Sequence, residues 1–412
     1  MFLRTEFFAK LFFLLSFIGL LLYAILGFYT FQLRYSNLDH VISTQDNFLQ
    51  EPVRKTEDLL YILIWTNKWH PTVDLEEGQD VFINNKCPYT NCFITANKHY
   101  QNENIEKFDA IVFNASTMQN WRGRNTPKER SPRQKYVFHS MESSYTYPIC
   151  SIHMDNFFNL TWTYKLDSDI PHPQFQVTDP KGNVVAPKRN VKWDTTKYNV
   201  TNYEKHLTRK RKAMVWIVDK CKTLNNRLEY AIKLQSIFRY NFLDFDIFGC
   251  GMFECPENIC YRLIKQDYYF YFVPEDSEGT DYVTKDVIKA YENYAVPIVL
   301  GNADYKRFLP EGSYINIKTT SNEALVETVK YLMNNPSIYQ GFHSWRQTYV
   351  IREVTLEKGL CDLCVKLNEW KGISVKREFR NWWYTESLRD RCIPGGAETF
   401  AEVFSYVNES RH

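Results

Sequence analysis

The chain has 412 residues, 44% of them hydrophobic, with 50 Lys and Arg against 48 Asp and Glu. That length holds two domains of ordinary size with real cores, and a net charge of +2 supplies no global field for a nucleic acid, so none is expected as a partner. An aromatic content of 16% suits a sugar-binding surface and an ordinary core alike.

The first informative element is the run "LFFLLSFIGLLLYAILGFYTF" at residues 11–31, which carries no charge. At about 1.5 Å rise per residue it is long enough to span a hydrocarbon core of roughly 30 Å. Arg4 and Lys10 precede it on a short tail with one acid, Glu6, so the positive-inside rule keeps the N-terminus cytoplasmic. The run is longer than the apolar core of a cleaved signal peptide, and no small-x-small cleavage site follows it closely. The expectation is a cytoplasmic tail (1–10), a transmembrane anchor (11–31) and a polar stem (32–58), with everything beyond the anchor on the lumenal side.

Apolar strand-like runs follow at 59–65 ("LLYILIW"), 108–113 ("FDAIVF"), 135–141 ("KYVFHSM") and 158–164 ("FNLTWTY"). A Lys/Arg-dense stretch, "KHLTRKRK" at 205–212, marks a junction. Beyond it strands and helices alternate regularly: "AMVWIV", "NNRLEYAIKLQSIF", "DFDIF", "YYFYFV", "TKDVIKAYENY", "VPIVL", "YINI" and "NEALVETVKYLMNN". Such alternation predicts βαβ units and a parallel sheet, with ligands at the carboxyl ends of the strands. Neither G-x-G-x-x-G nor G-x-x-x-x-G-K-[ST] occurs, so a dinucleotide fingerprint and a P-loop are both excluded. The division is a first domain at 59–207, a second at 208–370 and a tail at 371–412.

All ten cysteines lie beyond the anchor, where an oxidising compartment favours disulfides over thiolate zinc sites. Sequons at Asn114, Asn159, Asn199 and Asn408 fit the same side of the membrane.

Seven stretches taken together, "YVFHSMESS" (136–144), "FFNLTWTYKLDSDI" (157–170), "NNRLEYAIKLQ" (225–235), "DIFGCG" (246–251), "DYVT" (281–284), "AVPIVLG" (295–301) and "CDLCVKLNE" (361–369), resemble the α1,3-fucosyltransferases. The resemblance runs in order from about residue 59 to 369, and the anchor and stem fit it. It implies a GT-B type α/β fold, two Rossmann-like domains facing across a cleft, with the acceptor sugar on the first and GDP-fucose on the second. It also implies inverting transfer of fucose to a hydroxyl of N-acetylglucosamine in an N-glycan or another GlcNAc-containing acceptor, by a single-pass type II protein of the Golgi membrane. The alternative is a weakened or inactive relative that binds glycans or partner enzymes, and a third reading is a transferase for another nucleotide sugar.

Under the resemblance, Glu142 of "MES" is the catalytic base and Arg227 a diphosphate ligand. Lys220, Tyr269, Glu275, Ser277, Asp281, Tyr282, Thr284 and Lys285 complete the expected donor pocket. The stretch departs from the family's "YKFYLAFENS…DYITEK" at Tyr269, Pro274, Asp276 and Lys285-Asp286. No metal is expected, since the acids of "DSD" at 167–169 belong to the acceptor domain and suit turn formation. Cys87 and Cys92 are expected to bond with Cys361 and Cys364, across the cleft.

Overall fold

The structure, a computed structural model, describes residues 59–65, 77–100, 104–118, 126–149, 152–194, 204–254, 259–370, 372 and 374–383, together with Gly19 and Leu21. The expected anchor and stem otherwise lie outside the described residues. Among the described residues no helix is long and apolar enough to cross a membrane.

Strands β1 (Leu60–Trp65), β2 (Cys92–Thr95), β3 (Ala110–Asn114), β4 (Lys135–Ser140), β5 (Leu160–Thr163) and β6 (Ile170–Pro171) form a six-stranded sheet in the order β2-β1-β3-β4-β5-β6, every neighbour parallel. A parallel sheet is covered on both faces, so its strands read as continuous apolar runs; all six residues of β4 are buried. Strands β7 (Phe175–Thr178), β8 (Val184–Ala186) and β14 (Val350–Glu353) make a small antiparallel sheet. The second parallel sheet contains β9 (Lys212–Ile217), β10 (Phe245–Phe248), β11 (Tyr268–Pro274), β12 (Val296–Leu300) and β13 (Ile315–Asn316), in the order β10-β9-β11-β12-β13. Both large sheets therefore start with the doubly wound 2-1-3-4-5 order, which creates a crevice between the first and third strands at their carboxyl ends.

The helices are α1 (Asp80–Asn84), α2 (Glu204–Leu207), α3 (Arg227–Tyr240), α4 (Ile259–Asp267), α5 (Asp286–Glu292), α6 (Asn322–Asn334), α7 (Pro336–Gly341), α8 (Leu356–Glu369) and α9 (Phe379–Trp383). Most of the later ones clothe the second sheet, but α8 and α9 return to the first. The apolar face of α8, with Leu360, Leu363 and Leu367, packs against Leu60, Ile62, Val112 and Val137. On the other face of that sheet, Phe379 and Trp383 of α9 sit fully buried with their rings 4.8 and 4.7 Å from Phe138.

The disulfides Cys87–Cys361 and Cys92–Cys364 agree with the expected partners. They do not cross the cleft, however, because α8 has already returned to the flank of β2. Cys221–Cys250 links the loops after β9 and β10, and among the described residues no cysteine is free.

Two of the four sequons fall on described residues, and both asparagines are committed to the fold. Asn159 is 6% exposed; its Oδ1 accepts from the Tyr136 amide at 2.8 Å and from Arg130, while its Nδ2 donates to the Ser374 carbonyl at 3.2 Å. Asn114 uses its Oδ1 to accept from the amide and hydroxyl of Ser116.

Candidate active site

At the crevice of the second sheet, β9 runs out into Val218-Asp219-Lys220 and β11 into Glu275-Asp276. The two strand ends lie side by side because β9 and β11 are neighbours in the sheet. On the other side of β9, Gly249, just past β10, lets the ends of β9 and β10 close together: its φ is +95° and a Cβ there would stand 2.0 Å from the Val218 carbonyl oxygen. The space above the strand ends is a cavity of about 630 Å³ lined by Glu142 and Gln174 from the first half, and by Asp219, Lys220, Cys221, Lys222, Arg227, Asp276, Tyr282, Thr284, Lys285 and Asp286 from the second.

Glu142 reaches this cavity because β4 ends at Ser140 and the chain turns over the sheet's carboxyl edge, where the Ser140 hydroxyl donates to the Glu142 carbonyl at 2.6 Å. Its carboxyl is held above the ordinary carboxylate range, chiefly by burial and then by the nearby negative charge of Asp276, with Lys220 opposing. The Tyr282 hydroxyl stands 3.2 Å from Glu142 Oε2 and 2.9 Å from Asp276 Oδ1. Asp276 is paired with Lys220 at 2.8 Å. Burial, the largest influence, would lift Asp276, but Lys220, Arg227 and the Tyr282 hydroxyl together hold the group below its usual value.

Arg227 opens α3 and is only 5% exposed. Its Nη1 donates to the Pro274 carbonyl at 2.8 Å, its Nη2 lies 4.0 Å from Asp219, and its Nε–H is buried without a hydrogen-bond partner. A buried donor with no acceptor is costly, and here it belongs to a fixed cation on the cavity wall. Lys285 sits at the rim with its amide donating to Gln174 Oε1 at 3.0 Å and its ammonium paired with Glu353 of β14.

Glu142, Lys220, Arg227, Tyr282, Thr284 and Lys285 thus meet at one cavity, whereas Glu275, Ser277, Asp281 and Tyr269 do not line it. Glu275 is buried beneath the cavity floor, accepting from the Thr284 amide at 3.0 Å, and its carboxyl is pushed up to about 8, mainly by burial. Ser277 is stitched to the first half: its hydroxyl is 2.5 Å from that of Ser143 and 2.9 Å from that of Thr146. Asp281, at φ +65°, pairs with Arg307 at 2.5 Å and accepts from the Leu166 amide at 3.2 Å. These residues fix the cavity's walls rather than face its interior.

Tyr269 is a correction to the expected pocket. It lies at the start of β11, five residues before Pro274, which at about 3.3 Å per residue is roughly 16 Å from the crevice. Its ring packs on Tyr339 of α7 at 4.9 Å. The departure there from the family's strand Lys consequently leaves the cavity's charge unchanged. Gln174 was not foreseen; it lies in an irregular stretch before β7 and approaches Lys285 only through tertiary packing. Among the described residues, no group of three or more His, Cys, Asp or Glu side chains is arranged to hold a metal ion.

Comparison with known proteins matches residues 57–174 to the family description "Fucosyltransferase, N-terminal" and residues 207–382 to "Glycosyltransferase family 10 (fucosyltransferase) C-term". The chain is similar to alpha-(1,3)-fucosyltransferase C of Drosophila melanogaster, 32% identical over 356 residues that cover 82% of this chain and 81% of the relative. It is 27% identical to glycoprotein 3-alpha-L-fucosyltransferase A of the same organism, over 81% of this chain and 62% of that one. A crystal structure of an alpha1,3-fucosyltransferase with GDP-fucose aligns with a TM-score of 0.48 at 16% identity, over 80% of this chain and 96% of that one. The chain, 32% identical to the first of these relatives over 82% of its own length and matched to the family in both halves, belongs to glycosyltransferase family 10, the fucosyltransferases, and is a glycosyltransferase.

Proposed function

We propose that this enzyme moves fucose from GDP-fucose to a hydroxyl of N-acetylglucosamine in a glycoprotein glycan, forming an α1,3 linkage with inversion at the sugar carbon. One observation carries the reading: a half-buried carboxylate from the first half, Glu142, faces the cationic side chains Lys220 and Arg227 of the second across a single cavity. The names of the relatives support fucose as the transferred sugar and the α1,3 linkage.

In the reaction, the Glu142 carboxylate takes the proton of the acceptor hydroxyl while that oxygen attacks the sugar carbon. The bond from that carbon to the diphosphate oxygen breaks, and its electron pair leaves on GDP. The developing negative charge then falls beside Lys220 and the spare N–H of Arg227, donors already fixed before the reaction. Burial that raises Glu142's affinity for a proton also makes it a stronger base once it is ionised. The uncharged run at 11–31 and the disulfides support a type II protein of the Golgi membrane with this site in the lumen.

The test is turnover of GDP-fucose by the purified full chain on N-glycan-core and lactosamine acceptors, beside Glu142→Gln. The variant is expected to lose at least about 10²-fold in kcat while GDP still raises its melting temperature. Undiminished turnover in Glu142→Gln would refute the assignment of the base, and absence of any stabilisation by GDP in the wild type would refute the donor.

A further inference from the structure

The Tyr282 hydroxyl lies between two carboxylates, at 2.9 Å from Asp276 and 3.2 Å from Glu142, yet a phenol has only one proton to donate. Tyr282 is 2% exposed, so the phenol's single proton goes to one of these two carboxylates. Asp276 is the nearer acceptor and is kept ionised by Lys220 at 2.8 Å. A protonated Glu142 completes a consistent chain, donating to the phenol oxygen while the phenol donates to Asp276. An ionised Glu142 instead faces a lone pair of that oxygen, with a second carboxylate just beyond.

Resting on the assignment of Glu142 as the base, we propose that Asp276 is a positioning residue of this transferase, claiming the phenolic proton of Tyr282 and so denying Glu142 that donor. The group that takes the acceptor's proton is thereby left unquenched, and once protonated it is held in place by the phenol oxygen. Lys220 acts in the opposite sense: its charge draws on Asp276 and, more weakly, on Glu142. The charges that reach Glu142 are those of Asp276, Lys220 and Arg227, all from the second half, so the balance among them sets the acid side of the activity profile. Asp276 is 56 residues from Lys220 in sequence and six from Tyr282, and the three converge only through the adjacency of β9 and β11.

The experiment measures kcat/KM against pH for the full chain and for Asp276→Asn, Tyr282→Phe and Lys220→Met. In Asp276→Asn the side-chain amide donates to the phenol oxygen and the phenol turns to Glu142, so the acid limb is expected to move to lower pH. In Lys220→Met, where the Asp276 charge is no longer offset, the limb is expected to move to higher pH, whatever the loss in donor affinity. Tyr282→Phe should remove most of the difference between Asp and Asn at 276. A readout independent of turnover is the infrared carboxyl band that Glu142→Gln abolishes; its titration should move to lower pH in Asp276→Asn. If Glu142→Gln turns over normally, the base itself is wrong and the inference goes with it. If Glu142→Gln is inactive but neither the acid limb nor the carboxyl titration moves in Asp276→Asn, the base stands and the role of Asp276 is refuted.

Discussion

Glu275 and Asp276 are adjacent acids with different fates. Asp276 faces the cavity and has a lysine; Glu275 points into the floor, where its partners are the Thr284 amide at 3.0 Å and the Tyr305 hydroxyl at 3.4 Å. Burial pushes Glu275 to about 8 from an ordinary 4.5. A folded state that holds the proton more tightly than the unfolded chain gains stability that is full below the unfolded value and is lost as pH rises through the folded one. The window here runs from about 4.5 to about 8. Glu275→Gln keeps an oxygen for Thr284 and removes the titration, so its melting temperature should decline less across that window than the wild type's. Parallel declines would show that Glu275 does not carry the pH dependence. At this scale the sequence told only part of the story. Of the cavity-facing residues, Arg227, Tyr282 and Thr284 were named on motifs that match the resembling family, and Lys220 and Lys285 at positions where the chain departs from it. Tyr269 entered the expected pocket only because it stands where the resembling family has a strand Lys, and that position lies at the far end of β11 from the crevice.

At the scale of elements, the clearest commitment is the side chain of Asn159, which joins the start of β5 to the start of β4. Its amide satisfies the Tyr136 N–H and the Ser374 carbonyl, and it is shielded from solvent. A glycan on that nitrogen has no room beside the Ser374 carbonyl in so buried a site, so glycopeptide mapping should find Asn159 unmodified despite its sequon. Asn159→Leu should destabilise by about 1–3 kcal/mol for each backbone group left unpaired, read as a lower denaturant midpoint. A carbohydrate-bearing Asn159 peptide from folded protein would contradict the arrangement. Longer elements were legible because their patterns are strong: "VPIVL" coincides with β12, and "AMVWIV" is offset by one residue from β9. The antiparallel sheet was not. Its strand β14 is largely exposed and lacks alternation, and its partner β7 is far away in sequence, so no local signal announces the pairing.

For the molecule as a whole, the return of α8 and α9 to the first sheet matters most. Phe379 and Trp383 are each 0% exposed, and losing a buried Phe or Trp costs about 3–5 kcal/mol. Set against a typical stability of roughly 5–15 kcal/mol, a chain ending at residue 370 should fail to show a cooperative melting transition, although the whole second sheet is intact. A truncated protein melting within a few degrees of the full chain would refute this. The strand-helix alternation beyond residue 208 announced the second sheet correctly. That the final helices recross to the first is written in their apolar faces, but a face does not say which sheet it will cover.

The order in which a ribosome releases this polypeptide gives that return a temporal meaning. The strands Leu60 to Pro171 emerge first, whereas the helix Leu356–Glu369 that covers one of their faces, with its Cys361 and Cys364, follows about 200 residues later. At about 5–20 residues per second, the sheet therefore waits on the order of 10–40 s with greasy surface and two unpaired thiols, Cys87 and Cys92, before that helix can cover the one and bond the other.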